Sequence, residues 1–400
     1  MTDTAWQAVL PARTAARVLE AVSVLVGRPR VAPSCVQPDL AGGGAGLVLT
    51  YHQLDRCLPG QGWGPMADDY LAATAAGAER LRVTAPGLYG GIGGPAFAAL
   101  ATGRGPAPAL WEANILRGTD ALRDTLRGAH GVSTRTFDLI SGLTGTGAYL
   151  LTRAEADQDH DALREILRAL VGLCRERAGT PRWHTPADSI RDHAARDRLP
   201  HGALNYGLSH GIAGPLALMS LALTAAIQVP GLRDTAEHLT ARLTAARTDD
   251  TWGPNWPGLT ALPNGSGTPV HSSWCYGSPG VARALWLAGR ALDDTSTRKL
   301  AVQALKAALI RPAPERGIDD NPGLCHGLAG LLHITLRFAH DTADPGLAAA
   351  ATALAEHLLQ QKEFTRQDPG FLEGAAGVVL ALLAAATDQA PLWDRALLLA

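Results

Sequence analysis

Short apolar segments recur along the chain, and each follows a pair of glycines three residues apart. A typical segment runs from Leu331 to Ala339. The stretches between these segments repeat apolar residues at intervals of three and four, as in 161–171, 233–243 and 298–309, which predicts amphipathic helices. The glycine pairs are Gly43/Gly46, Gly91/Gly94, Gly142/Gly145, Gly211/Gly214, Gly277/Gly280, Gly327/Gly330 and Gly374/Gly377.

The spacing of the glycine pairs indicates a repeat protein. Successive pairs lie about 50 residues apart, except across two longer gaps, and this length holds two helices with their loops. Glycine in a helix costs roughly 1 kcal/mol relative to alanine, so its recurrence requires a packing reason, such as close approach of neighbouring backbones. The sequence predicts an all-α fold, one domain over residues 1–400, with seven apolar inner helices and seven amphipathic outer helices.

Seven helical hairpins can stack as an open solenoid or close into a toroid. Closure is favoured because the inner helices are apolar all round and the chain ends lack charged capping repeats. The two long gaps hold charged residues, tryptophans, glycines and prolines, and we expect a loop-rich insertion at about 175–206. Such loops are where a repeat protein usually builds its functional site.

Composition narrows the classes of function. The chain of 400 residues is 46% hydrophobic and 18% charged, which is typical of a globular protein, and its net charge of −2 gives no sign of a nucleic-acid or anionic-membrane surface. Five cysteines without the spacing of a small secreted protein indicate reduced thiols in a cytoplasmic protein. No signal peptide or membrane-spanning run is recognisable, so no transmembrane segment is expected.

The residues just before each glycine pair carry the candidate chemistry. In a closed ring these positions converge on one mouth, where Cys275 and Cys325 stand two residues before the first glycine of consecutive repeats, with His326 beside the second. Two cysteines and one histidine form a three-ligand zinc set with an open fourth position, which suits a thiol substrate. His210 and Asp138, before earlier pairs, are a candidate acid-base couple. The alternative is that both cysteines are ordinary core thiols.

Two neighbours of these residues have less certain roles from sequence alone. Tyr276 follows Cys275 directly, and by itself it indicates packing more than catalysis. Glu373 occupies the register of the mouth, but a carboxylate at a helix start also stabilises that helix as a cap. The remaining cysteines fit no register and are interpreted as structural: Cys35, Cys57 and Cys174.

Four motifs together resemble the lanthionine (lanthipeptide) cyclase family. They are Ser209-His-Gly-Ile-Ala-Gly, Ser273-Trp-Cys-Tyr-Gly-Ser-Pro-Gly, Asn321-Pro-Gly-Leu-Cys-His-Gly-Leu-Ala-Gly and Phe371-Leu-Glu-Gly-Ala-Ala-Gly. The resemblance covers essentially the whole chain, and the Trp-Cys-Tyr-Gly segment with a later Cys-His-Gly is its most specific part. It implies a double-layered α,α-toroid with zinc at the mouth, which adds a peptide cysteine thiol to a dehydroalanine or dehydrobutyrine of the same peptide.

The resemblance also implies roles for single residues. Cys275, Cys325 and His326 would hold zinc. His210 matches the histidine that protonates the enolate, Asp138 the aspartate before the third motif, and Tyr276 the tyrosine after the first zinc cysteine. Members of the family usually carry an arginine four residues before that cysteine, where this chain has His271. An imidazole can still donate a hydrogen bond to an enolate oxygen, but unlike arginine it is not always charged.

The partners implied are a dehydrated precursor peptide, a separate dehydratase that supplies it, and an exporter. Three other functions stay open at this stage. One is addition of glutathione or another free thiol to dehydrated proteins, and another is a non-catalytic peptide-binding toroid. A zinc-dependent prenyltransferase also binds thiolates, but the chain lacks the aromatic richness expected of an isoprenoid tunnel, since aromatic residues make up only 5% of it.

Overall fold

The computed structural model describes residues 6–27, 32–157, 160–177, 179–190, 193–263, 265, 267, 270–361 and 368–400. Among the described residues, seven mostly buried helices begin one or two residues after the first glycine of each pair and contain the second glycine. We call them the inner helices: α2 (Gly44–Cys57), α4 (Gly93–Ala101), α7 (Leu143–Asp157), α10 (Ala213–Thr224), α12 (Ser278–Ala291), α15 (Leu328–Thr342) and α17 (Ala375–Ala386).

Seven amphipathic helices form the outer layer: α1 (Ala12–Val26), α3 (Trp63–Arg80), α5 (Ala109–Leu126), α8 (Asp161–Leu173), α11 (Leu232–Ala245), α13 (Thr295–Ile310) and α16 (Pro345–Gln360). Three helices are short: α6 (Thr134–Phe137), α9 (His193–Arg198) and α14 (Ala313–Arg316). In the part of the chain that the structure describes, 3₁₀ turns lie at Pro33–Cys35, Ala187–Ser189 and Leu392–Leu397. Within the described ranges, no helix has the length and apolarity to cross a membrane.

The inner helices form a closed ring, which confirms the predicted toroid and excludes the open solenoid. Each inner helix contacts the next, from α2 through α4, α7, α10, α12 and α15 to α17, and α17 returns to α2. Each outer helix packs on the inner helix that precedes it, with one exception. The N-terminal helix α1 packs on α17, so the seventh hairpin joins the two ends of the described chain.

A circuit of backbone hydrogen bonds runs around one mouth of this ring. In every repeat, the carbonyl two residues before the first glycine accepts from an amide of the preceding repeat. Within the circuit, Cys275 N donates to Cys325 O at 3.2 Å, Cys325 N donates to Leu372 O at 2.9 Å, and Leu372 N donates to Ala41 O at 2.9 Å. The other acceptors are the carbonyls of Tyr89, Ile140, Ser209 and Cys275. The turns before the inner helices are therefore held in one register around the mouth.

The glycine pairs are required by the turn before each inner helix more than by contact between helices. A Cβ on the second glycine would collide with the carbonyl of its own preceding turn, at 2.0 Å from Leu324 O for Gly330 and 2.1 Å from Phe371 O for Gly377. The expected approach of neighbouring backbones is thus replaced by an approach within each repeat. In most repeats a side chain of the preceding repeat also covers this glycine, as Leu324 covers Gly377.

The two long gaps hold short antiparallel strands rather than loops alone. Strand β1 (Glu176–Arg177) pairs with β2 (Thr180–Pro181), β3 (Ala203–Asn205) with β6 (Leu259–Ala261), and β4 (Thr248–Asp250) with β5 (Gly253–Asn255). Part of the predicted insertion at about 175–206, residues 178, 191 and 192, lies outside the described residues. The β3–β6 pair connects the insertion to the segment 249–274.

The C-terminal segment, residues 392–400, packs on the inner helices α4 and α7. Its carbonyls accept from the Tyr89 hydroxyl at 2.8 Å and from Trp274 Nε1 at 3.0 Å. Asp394 is buried there between His333 and Arg337, which lowers the pKa of its carboxyl. Burial opposes this shift, but the charge of Arg337 and the hydrogen bond with His333 outweigh it. The floor of the mouth is therefore a packed and ion-paired plug.

We predict that Gly330→Ala destabilises the fold, because its Cβ would lie 2.0 Å from the Leu324 carbonyl oxygen. Overpacking of this kind costs about 1–3 kcal/mol in free energy of unfolding, which denaturant titration measures. The control is Gly172→Ala in α8, where an added Cβ meets nothing within 4 Å and is expected to be neutral or to stabilise by up to about 1 kcal/mol. Equal stability of the two variants would show that the collision is not a constraint.

Candidate active site

A cavity of about 770 Å³ opens at the mouth of the ring. Its wall contains the residues that precede the glycine pairs of repeats three to seven, together with part of the segment 249–274. The lining residues are Ile140, Ser209, His210, Gly258, Leu259, Val270, His271, Ser273, Cys275, Tyr276, Cys325, His326 and Leu372. The candidates named from the sequence line this cavity, except Asp138, which lies behind His210, and Glu373, which lies behind His326.

Three potential metal donors meet on one side of this cavity. The sulfurs of Cys275 and Cys325 and a nitrogen of His326 all lie within 4.8 Å of one another. The hydrogen bond from Cys275 N to Cys325 O aligns the two turns that carry the cysteines, and Ser273 Oγ lies 3.4 Å from Cys275 Sγ. Two thiols and an imidazole are a donor set that zinc prefers, and the shared cavity leaves space for a further ligand.

The two thiols and the imidazole also influence one another's protonation. Hydrogen bonds from Cys325 and His326 lower the pKa of Cys275 to about 5, although burial opposes the change. The pKa of Cys325 rises because its thiol hydrogen-bonds to Cys275, and burial adds to the rise. The hydrogen bond with Cys275 raises the pKa of His326. Of the two thiols, Cys275 is therefore the more acidic in the protein without metal.

Glu373 faces this donor set. The helix that follows it begins at Ala375, with Gly374 as its N-cap residue. Glu373 Oε1 lies 3.1 Å from His326 Nδ1. Burial raises the pKa of Glu373, partly offset by the nearby His326. The residue belongs to the mouth, as its register indicated.

His210 and Asp138 form a hydrogen-bonded pair across two repeats. His210 Nδ1 lies 2.6 Å from Asp138 Oδ2, while Asp138 Oδ1 accepts the backbone amides of Ser141 and Gly142 at 2.7 and 2.9 Å. The Asp138 side chain is fully buried, whereas that of His210 is 39% exposed to the cavity. Both carboxylate oxygens are occupied, so the imidazole is held by Nδ1 and presents Nε2 to the cavity. This is the geometry of an acid-base group with its orienting carboxylate.

Tyr276 has a polar partner that the sequence did not reveal. Its hydroxyl accepts from Asn205 Nδ2 at 3.0 Å, and Asn205 Oδ1 accepts from Gly207 N at 3.0 Å. Burial raises the pKa of Tyr276 to about 12, so the phenol keeps its proton at neutral pH. Its ring centroid lies 6.4 Å from that of His210. Asn205 is on β3, outside the glycine register, and nothing in its sequence context distinguished it.

His271 lies at the rim of the cavity and is exposed. A side chain at Gly317 would come within 2.3 Å of His271 Nδ1, so the absence of one leaves room for the imidazole. The peptide amide after His271 is fixed by a hydrogen bond from Ser272 N to Arg316 O at 2.9 Å. The structure thus brings His271 to the same cavity as the donor set and His210.

The rest of the cavity wall is apolar, and the sequence predicted only part of it. Ile140 and Leu372 occupy the same register position as the two cysteines, whereas Leu259 and Val270 come from the segment 249–274. Among the described residues of the wall there is no arginine, lysine, aspartate or glutamate. The cavity therefore combines two thiols, three imidazoles and one phenol with apolar walls.

Comparison with known proteins agrees with the resemblance drawn from the motifs. Residues 34–398 match a family model described as lanthionine synthetase C-like protein. Over 260 residues the chain is 26% identical to nisin biosynthesis protein NisC of Lactococcus lactis subsp. lactis, a match that spans 62% of this chain and 60% of that protein. The fold is similar to that of nisin cyclase, with a TM-score of 0.77, 20% identity, and coverage of 97% and 98% of the two chains.

We predict that iodoacetamide at about pH 7 modifies Cys275 in metal-free protein long before Cys174. The pKa of Cys275 is lowered to about 5, whereas complete burial raises that of Cys174 to about 12, and only the thiolate reacts. Peptide mass spectrometry of time points reports both sites, and denaturant should release Cys174. Labelling of the two cysteines at the same rate in folded protein would contradict the lowered pKa of Cys275.

Proposed function

The chain belongs to the lanthionine synthetase C-like family, and we propose that it closes lanthionine and methyllanthionine rings in a dehydrated precursor peptide. The observation that carries this proposal is the cavity shared by Cys275, Cys325 and His326 on one side and the His210–Asp138 pair on another. A donor set for a substrate thiol and a separate proton donor are what addition of a thiol to an activated alkene requires.

We propose zinc as the metal of this donor set. Two thiol sulfurs and one imidazole nitrogen within 4.8 Å of one another fit a three-ligand zinc site with an open position. When bound there, zinc lowers the pKa of a substrate thiol so that the thiol is deprotonated at neutral pH. The chain's own contribution is to hold the three donors in place and to leave the cavity open beside them.

In the first step the cysteine thiolate of the peptide adds to the β-carbon of dehydroalanine or dehydrobutyrine. A C–S bond forms, and the electron pair of the C=C bond moves towards the carbonyl to give an enolate. Tyr276, with its proton retained and its ring fixed by Asn205, and His271 at the rim are the groups available to donate hydrogen bonds to that oxygen. An imidazole in place of the family's arginine provides the hydrogen bond without a permanent charge.

In the second step His210 delivers a proton to the α-carbon. Asp138 binds Nδ1, so the proton transfer uses Nε2, which faces the cavity. The reaction is an addition, so the proton lost by the thiol is balanced by the proton gained at carbon. The buried carboxylate of Asp138 contacts Nδ1 and fixes the orientation of the imidazole throughout.

The uncharged walls favour a peptide segment over glutathione as the substrate. Glutathione carries two carboxylates, and buried or half-buried carboxylates require cationic partners. The described lining offers apolar side chains and imidazoles but no arginine or lysine. A cysteine within a peptide chain has no such free carboxylates, so no carboxylate is buried when it enters the cavity.

The substrate of this reaction already contains dehydroamino acids, so we infer that a separate dehydratase acts on the precursor first. We expect the reaction to occur in the cytoplasm, where substrate thiols remain reduced, and the finished peptide to pass to an exporter.

We predict about one zinc per chain in the wild type and loss of both zinc and ring closure in Cys275→Ala. Purified protein is analysed for metal and then incubated with a dehydrated peptide that contains cysteines. Each ring removes one thiol that iodoacetamide would otherwise label, which mass spectrometry counts. The control Cys35→Ala removes an exposed thiol outside the cavity and should keep both properties. Glutathione adducts in place of rings, or rings formed without zinc, would contradict the proposal.

We predict that Asp138→Asn lowers the rate of ring closure by about 10²–10⁴-fold, the contribution typical of acid-base catalysis. In this variant the side-chain oxygen can still accept hydrogen bonds from the backbone amides of Ser141 and Gly142. The side-chain NH₂ faces His210 Nδ1 and donates to it, so the imidazole proton moves to Nε2. Rates come from the labelling assay, and thermal unfolding checks the fold. The control Asp124→Asn removes an exposed pair with Arg127 and should be silent in both measurements.

A further inference from the structure

The carboxylate of Glu373 has no part in the steps above, yet it touches the donor set. Its Oε1 lies 3.1 Å from His326 Nδ1, and the carboxylate also lies close to the side chains of Cys325 and Asn321. Asn321 is itself held, since its Oδ1 accepts from Gly323 N at 2.8 Å. The carboxylate therefore lies between Asn321 and two of the three metal donors.

We propose that Glu373 is a positioning residue that orients His326 for metal binding. A neutral imidazole has one N–H and one lone pair, and an acceptor on Nδ1 fixes the proton there and leaves the lone pair on Nε2. This imidazole also interacts with Cys275, and one of its nitrogens lies within 4.8 Å of the sulfurs of both cysteines. A carboxylate behind a metal-binding histidine typically fixes its tautomer and ring orientation and makes the imidazole more basic.

The place of Glu373 is set by closure of the ring. It follows Leu372, whose carbonyl accepts from Cys325 N at 2.9 Å and whose amide donates to Ala41 O at 2.9 Å. Its backbone packs on the turn of repeat six, where a Cβ on Gly323 would lie 3.1 Å from Glu373 Cα. Repeats five and six thus supply the donors, and repeat seven supplies the group that orients one of them.

This inference rests on the proposed zinc site, and the test separates the two. Zinc affinity of Glu373→Gln, Glu373→Ala and wild-type protein is measured by competition with a chromophoric chelator, without substrate. Loss of an orienting partner typically weakens metal binding about 10–100-fold, so we expect this loss in Glu373→Ala. Glutamine keeps an oxygen acceptor for Nδ1–H, so Glu373→Gln should recover part of the affinity. The visible spectrum of the Co²⁺-substituted proteins should shift, because the geometry at His326 changes.

The control Glu315→Gln makes the same change of charge on the exposed helix α14 and should leave zinc affinity unchanged. The melting temperature of the metal-free variants should equal that of the wild type, which separates orientation of His326 from a general role in folding. Unchanged affinity and Co²⁺ spectrum in Glu373→Ala, with wild-type protein binding zinc, would overturn this inference alone. A wild-type protein that binds no zinc would overturn the proposed zinc site and this inference together.

Discussion

The closed circuit of backbone hydrogen bonds at the mouth is the constraint on which the rest of the structure depends. Each turn before an inner helix donates to the carbonyl of the next turn, and the last step, from Leu372 N to Ala41 O, joins repeat seven to repeat one. Buried backbone groups must be paired, so these bonds fix the register of one turn against the next. The second glycine of each pair makes this possible, because any side chain there would collide with the turn.

This constraint explains why residues far apart in sequence form one site. Cys275 and Cys325 are separated by a full repeat, yet they occupy equivalent positions in adjacent turns, and a hydrogen bond of 3.2 Å joins their backbones. The same spacing brings Ser209 and His210 to one side of them and Leu372 and Glu373 to the other. The chemistry is thus distributed over five repeats, while the geometry is set by a backbone pattern that is the same in each.

The parts of the site that follow the repeat were predictable from sequence, and the parts outside it were not. Counting back from each first glycine predicts the convergence of Cys275, Cys325 and His326 and the position of His210. Asn205 and Leu259 could not be found in this way, because β3 and β6 lie in the long gaps, where no period sets their position. The toroid was likewise predictable from apolar inner helices, but its closure by α1 on α17 was not, since α1 carries no glycine pair.

Three of the histidine–carboxylate pairs among the described residues show how the surroundings of a pair determine its role. His333 and Asp394 are both buried in the floor, and burial lowers the pKa of that imidazole, so it is a neutral packing group. His326 and Glu373 are each about half exposed, at 49% and 46%, beside two thiols, so the lone pair of the imidazole can serve a metal. The imidazole of His210 has one exposed edge, and its other edge contacts the fully buried carboxylate of Asp138. This carboxylate holds the ring and leaves Nε2 open to the cavity. The role of each pair therefore depends on how exposed its imidazole is and on which other group the imidazole contacts. These two properties distinguish the structural pair from the metal-binding pair and the proton-transfer pair.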